Sequence, residues 1–331
     1  MIVTKVSAIF LALLPLCMLS GCTEPGTQAA DNSGNGPEVL HVVATVGMVA
    51  DVVREVGGDK VRVTQIMGDG VDPHLYKPNR DDIKLIRDAD VVVYSGLLLE
   101  GRMTAALEQM AHSKPVVAVT MNLDQSLLLT PANFEGHEDP HVWMDVSAWA
   151  QCVDVVAETL ADALPDYEAT LYENAKAYRD QLQKLHEYGL ASISSIPKAS
   201  RLLITSHDAF NYLGRAYGLT VRGVQGISTE SEAGLQEVND LVKLLVERKV
   251  QALFIESSVP RKSIDALIEG ARARGHEVKI GGELYSDAMG ADGTYEGTYM
   301  GMLDHNITTV TRALGGKAPE KGLHGRLGAA E

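Results

Sequence analysis

Short β-branched runs that stop at Gly, Asp, Ser or His alternate along this chain with longer stretches of helical apolar spacing, and few folds accommodate that order. In the first half the runs fall at 40–46, 61–67, 91–95 and 116–120, with helical spacing at 48–56, 81–89 and 101–111. The second half repeats the arrangement: runs at 201–206, 221–225, 252–256 and 277–281, helical stretches near 209–217, 231–249 and 261–274. Strands separated by crossover helices pair in parallel. The alternation therefore predicts an α/β protein of two lobes, each a mostly parallel β-sheet flanked by helices. Between the halves, 148–164 and 166–192 read as helix, and Leu171, Ala175, Tyr178, Leu182, Leu185 and Tyr188 recur in the second at three- or four-residue steps. Such a helix spans about 40 Å, the length of a rigid strut joining the lobes; the same pattern also fits the last helix of the first lobe.

The sequence ahead of the first run is of another kind. Lys5 precedes an apolar stretch, 6–19, too short to span a bilayer comfortably, which is the build of a secretory leader. It ends in Leu19-Ser20-Gly21-Cys22, which resembles the bacterial lipoprotein processing box, where cleavage leaves Cys22 as a lipid-modified N-terminus. Residues 23–38 are rich in Gly, Pro, Ser, Asn, Thr and Ala without hydrophobic period, and read as a flexible tether. The expected division is a signal peptide at 1–21, a lipidated N-terminus and tether at 22–38, a first α/β lobe at 39–165, a linking helix at 166–195, a second lobe at 196–318 and a tail at 319–331. A chain of 331 residues suffices for two lobes with separate cores. Only Cys152 remains once Cys17 leaves with the leader and Cys22 takes the lipid, so no internal disulfide forms. With 44 acidic against 29 basic residues the net charge is −15, a balance that repels nucleic acid and anionic lipid and draws cations weakly, though plain solubility accounts for it equally well.

Four local constellations carry chemistry, each after a predicted strand or in a loop: Asp72-Pro73-His74-Leu75-Tyr76, Asp139-Pro140-His141-Val142-Trp143, Thr205-Ser206-His207-Asp208 and Tyr285-Ser286-Asp287-Ala288. Proline fixes φ and pushes the preceding aspartate to extended geometry, so each Asp-Pro-His holds its imidazole on a preset turn. Ligands collect at the carboxyl ends of strands in open parallel sheets, which brings the four groups to one crevice. Three neutral imidazoles and one carboxylate form a complete set of donors for a divalent transition metal. A lone histidine more often caps a turn or supports packing; four concordant placements reverse that reading.

The order and wording of these motifs, together with Ser286-Asp287-Ala288-Met289-Gly290 and Glu296-Gly297-Thr298-Tyr299, resemble the cluster A-I (cluster 9) metal-binding lipoproteins of bacterial ABC importers, from about residue 40 to 316. The resemblance implies His74, His141, His207 and Asp287 as ligands in an interlobe site, one Zn2+, Mn2+ or Fe2+ ion as cargo, and no enzymatic activity. It further implies an importer permease with its cytoplasmic ATPase as partners, anchorage outside the cytoplasm through lipid on Cys22, a monomer, and the adhesin label sometimes attached to the family, for which no sequence feature specifies a ligand. Members specialised for manganese commonly have glutamate where His207 stands; many zinc members lack the final aspartate and carry a long His-rich loop. This chain has neither pattern. The alternative function is an extracytoplasmic metallohydrolase using zinc at the same residues, against which the closed donor set and the missing His-Glu-x-x-His motif argue.

The remaining candidates are weaker. His137, four residues before His141, reads as a solvated loop histidine, with transient metal recruitment the alternative. His41, His112, His186, His276, His305 and His324 have no second ligand at informative spacing, and Met48, Met67, Met289, Met300 and Met302 read as core filler. The 223–230 loop is glycine-rich but lacks a phosphate-binding fingerprint; the resemblance places it near the cleft, with Glu230 behind the ligands.

Overall fold

The computed structural model describes residues 39–328 except 133 and 135. The expected signal peptide, Cys22 and the tether lie outside the described residues. The first lobe runs β1 (Leu40–Ala44), α1 (Gly47–Gly57), β2 (Val61–Gln65), α2 (Arg80–Asp88), β3 (Val91–Tyr94), α3 (Thr104–Ala111) and β4 (Val116–Ala118). Its strands form a parallel sheet in the order β2-β1-β3-β4. Successive residues Val42, Val43 and Ala44 are all buried, as in a strand covered on both faces. Helix α2 begins with a capping box: Asn79 accepts from the Asp81 and Asp82 amides while the Asp82 carboxylate takes the Asn79 N–H.

Two long helices follow, α4 (Val146–Ala163) and α5 (Glu168–Ser194). The second lobe comprises β5 (Leu202–Thr205), α6 (Asn211–Tyr217), β6 (Thr220–Gly223), α7 (Leu235–Arg248), β7 (Ala252–Glu256), α8 (Lys262–Ala273), β8 (Lys279–Leu284) and α9 (Tyr299–Ala313). Here the strands make two parallel pairs, β5-β6 and β7-β8, with β5 beside β7. The two-lobed α/β architecture is the one expected, but the last strand starts and ends later than 277–281 and pairs through an irregularity at Leu253/Phe254.

Helix α5 touches both lobes. Its Asn174 and Tyr178 reach α1, through the Val56 carbonyl at 3.0 Å and the Asp51 carboxylate at 2.7 Å. Toward its other end, Tyr188 meets Thr308 of α9 at 2.7 Å and Gly189 faces the Tyr217 ring. Separate lobe cores, as expected from length, are not what the chain builds. One continuous core runs from the first sheet through α4 and α5 to Tyr212, Phe254, Tyr299 and Leu303, and a smaller cluster around Leu245, Leu253 and Ile264 fills the far side of the second lobe. The physical reason is that α5 and α9 bury faces toward both halves at once.

Candidate metal centre

The two Asp-Pro-His segments fold into the same turn. In each the aspartate carboxylate reaches over the proline to accept the histidine amide: Asp72 Oδ1 from His74 at 2.9 Å, Asp139 Oδ1 from His141 at 3.0 Å. Beyond that they differ. Asp139 Oδ1 also accepts the His141 ring Nδ1–H at 2.7 Å, and its Oδ2 takes Asn211 Nδ2 at 3.1 Å. Asp72 uses its second oxygen on the Thr229 hydroxyl at 2.5 Å and leaves the His74 ring alone.

His207 follows β5 directly. Glu256, the last residue of β7, holds it twice: Oε1 accepts the backbone N–H at 2.9 Å and Oε2 the ring Nδ1–H at 2.5 Å. The 223–230 loop passes so close to this turn that a Cβ on Gly223 would sit 2.4 Å from the Asp208 nitrogen, which is why glycine stands there. Asp287 lies after β8 on a segment clamped from three sides. Asn306 of α9 donates to the Tyr285 carbonyl and accepts its N–H, Trp143 donates to the Ser286 carbonyl at 2.9 Å, and Ser258 bonds the Ser286 hydroxyl.

These turns converge. His74 Nε2 lies 3.3 Å from His141 Nε2, which lies 3.4 Å from His207 Nε2. Asp287 faces them with Oδ1 3.3 Å from His141 and Oδ2 3.2 Å from His207 and 3.9 Å from His74. Donors bound tetrahedrally at 2.0–2.1 Å stand about 3.3–3.4 Å apart, so the donor spacing fits a single first-row ion. Since Nδ1 of His141 and of His207 each donate to a carboxylate, Nε2 is the atom left to face the centre. Both Asp287 oxygens are buried and make no hydrogen bond among the described residues.

The electrostatics divide the cluster. Burial opposes charge on His141, but Asp139 and Asp287 outweigh it and raise the ring to about 9; burial opposes charge on His207 too, but Glu256 and Asp287 outweigh it and hold the ring well above its ordinary range. Burial likewise works against the Asp287 carboxylate, yet His207 and His141 hold it well below the usual range. His74 behaves oppositely, pushed by burial to about 3.

All four residues singled out from sequence thus meet within 4.8 Å. Glu230 does not join them; it pairs with Arg102 across the cleft at 3.2 Å. His137 lines a cavity of about 330 Å³ outside His74, together with Leu98 and Arg102. The other histidines serve locally where partners are resolved: His41 meets Thr64, His186 Tyr217, His276 the Val250 carbonyl and His305 the Glu283 carbonyl. The ring-orienting roles of Asp139 and Glu256 were missed by sequence reasoning. An acid closing the apolar strand Ala252-Leu253-Phe254-Ile255 was the available signal for Glu256.

Known proteins resemble this chain over most of its length. The family model described as the zinc-uptake complex component A, periplasmic, matches residues 42–313. The manganese-binding lipoprotein MntA of Bacillus subtilis is 46% identical over 296 residues, covering 89% of this chain and 95% of that protein. The zinc-binding protein TroA of Treponema pallidum is 43% identical over 304 residues, 91% of this chain and 96% of that one. A solved structure of TroA superposes with a TM-score of 0.81, at 44% identity, over 83% of this chain and 99% of that chain. The iron ABC transporter substrate-binding lipoprotein MtsA of Streptococcus pyogenes is 29% identical over 316 residues, 94% of this chain and 98% of that protein.

Proposed function

Since the chain belongs to the periplasmic zinc-uptake component A family, we propose that it is the extracytoplasmic solute-binding component of a metal ABC importer, capturing a divalent transition-metal ion and delivering it to the permease. It is a transport component, not an enzyme. The observation that carries the reading is the convergence of three Nε2 atoms on a carboxylate whose two oxygens are buried and otherwise unbonded. His74, His141, His207 and Asp287 are the proposed ligands. The cargo belongs to the zinc, manganese and iron group named for the relatives, iron being taken as the divalent ion; a nitrogen-rich donor set binds zinc most tightly of the three, while the second Asp287 oxygen offers the extra contact that manganese favours. In the same reading the protein is a monomer, lipid on Cys22 keeps it beside the importer, and the cytoplasmic ATPase completes the assembly.

The test is a titration of the chelator-stripped body, starting at residue 39, with zinc, manganese and, without oxygen, ferrous iron. One ion bound per chain, lost in Asp287→Ala, is the expected result, and competition ranks the metals. Uptake of none of the three overturns the function.

A further inference from the structure

The four proposed ligands are not equally held. His141, His207 and Asp287 are 0–1% exposed, and each is backed by hydrogen bonds: the His141 ring by Asp139 of its own turn, itself held by the half-buried Asn211; the His207 ring by Glu256 of β7; and the Asp287 segment by Trp143 and Asn306, which bond the Ser286 and Tyr285 backbone. His74 is 5% exposed, its ring makes no hydrogen bond to a carboxylate or carbonyl among the described residues, and a cavity of about 330 Å³ is lined by it. Across the cleft, the His141 side is stitched by Trp143 to Ser286, Tyr299 to the Trp143 carbonyl, Tyr212 to the Asp139 carbonyl and Arg215 to Asp145. The His74 segment reaches the second lobe through one side-chain hydrogen bond among the described residues, from the buried Thr229 hydroxyl to Asp72 Oδ2 at 2.5 Å, with the exposed Arg102–Glu230 pair alongside. The other oxygen of the same Asp72 carboxylate fixes the His74 amide.

We propose that Thr229 is a positioning residue: through Asp72 its hydroxyl holds His74 in the ligand cluster, and cargo enters and leaves past His74 when this hydrogen bond opens. The inference rests on the proposed binding site and adds its route of exchange. A bond that must break before a ligand can swing away slows release without changing the donor set, so its loss acts on the exit rate more than on stoichiometry or fold. The exposed Arg102–Glu230 pair contributes less, as solvent-screened pairs do.

The experiment is stopped-flow transfer of zinc from the loaded protein to excess chromophoric chelator, with the melting temperature of each variant measured in parallel. Thr229→Val, which keeps shape and removes the hydroxyl, is expected to release zinc about ten-fold faster, the weight of one buried hydrogen bond, while still binding one ion. Thr229→Ser restores the parent rate, Arg102→Ala gives a smaller acceleration from a surface position that does not threaten folding, and Arg215→Gln lowers the melting temperature with an unchanged rate. A parent rate in Thr229→Val overturns the proposal, as does an Arg215→Gln rate matching that of Thr229→Val, which would tie release to general loosening. A parent protein that takes up no zinc removes instead the binding reading beneath it.

Discussion

A histidine whose Nδ1 is bound to a buried carboxylate has one nitrogen left to offer, and here that constraint acts on two of three rings. Replacing any of His74, His141, His207 or Asp287 by alanine is expected to weaken metal binding at least about 100-fold, one ligand's share of a four-donor site. The metal-free melting temperature should hold because each sits on a loop. Calorimetric titration checks this; parent affinity in all four refutes the assignment. Glu256→Gln is expected to cost about 10–100-fold, because an amide has one acceptor where Glu256 serves both the backbone and the ring of His207. The pH dependence has a definite sign. In the metal-free protein His141 is raised to about 9 and His207 well above its ordinary range, so at neutral pH both carry a proton that the metal must displace, whereas His74, pushed to about 3, carries none. Affinity therefore rises with pH across the neutral range, as the protons held by His141 and His207 become easier to displace. Titration at neutral pH in buffers of different ionisation enthalpy should show net proton release; zero release contradicts the charge assignment.

At the scale of elements, α5 packs closely against α6 and α9. A Cβ on Gly189 would lie 2.7 Å from the Tyr217 ring and 3.2 Å from Ile307, so Gly189→Ala is expected to cost about 1–3 kcal/mol in stability, seen as a lower midpoint in chemical denaturation. Between α1 and α5, burial pushes Asp51 up to about 6 despite its bond from Tyr178. A raised carboxylate favours the folded state while protonated, and that advantage is lost as pH climbs from about 4, the unfolded value, through 6. Asp51→Asn keeps an acceptor for Tyr178 without the charge. It should raise the melting temperature at neutral pH, by up to about 3 kcal/mol of stability, with the gain vanishing in acid. Helix α9 escaped the sequence reading because Asp304, Asn306, Thr308 and Thr311 are buried and break the amphipathic pattern. Their burial is intelligible only with their partners: Asn306 clamps the Tyr285 backbone and Asp304 binds the Tyr295 hydroxyl and the Leu323 amide.

For the whole molecule, a core continuous across the lobes and a helix fastened to both leave little freedom for a wide hinge. Small-angle scattering with and without metal is expected to give the same radius of gyration, with a large contraction contradicting a stiff frame. Binding to the folded form alone also stabilises it, by about 4 kcal/mol at a thousand times Kd, so the same metal concentration should raise the melting temperature of the parent by much more than that of Asp287→Ala.

Strand–helix alternation and the four ligand positions were readable in the sequence because both are local: period and turn chemistry act over a few residues, and each Asp-Pro-His presets its own imidazole. What faces what was not local. Glu256 behind His207, Asn306 beneath the Asp287 loop and Thr229 against Asp72 join residues 49, 21 and 157 positions apart. The merging of the two cores likewise depends on how α5 and α9 pack. The sequence alone singled out the four proposed ligands; the tertiary structure decided how firmly each is held, since firmness comes from partners that only folding brings within hydrogen-bond reach.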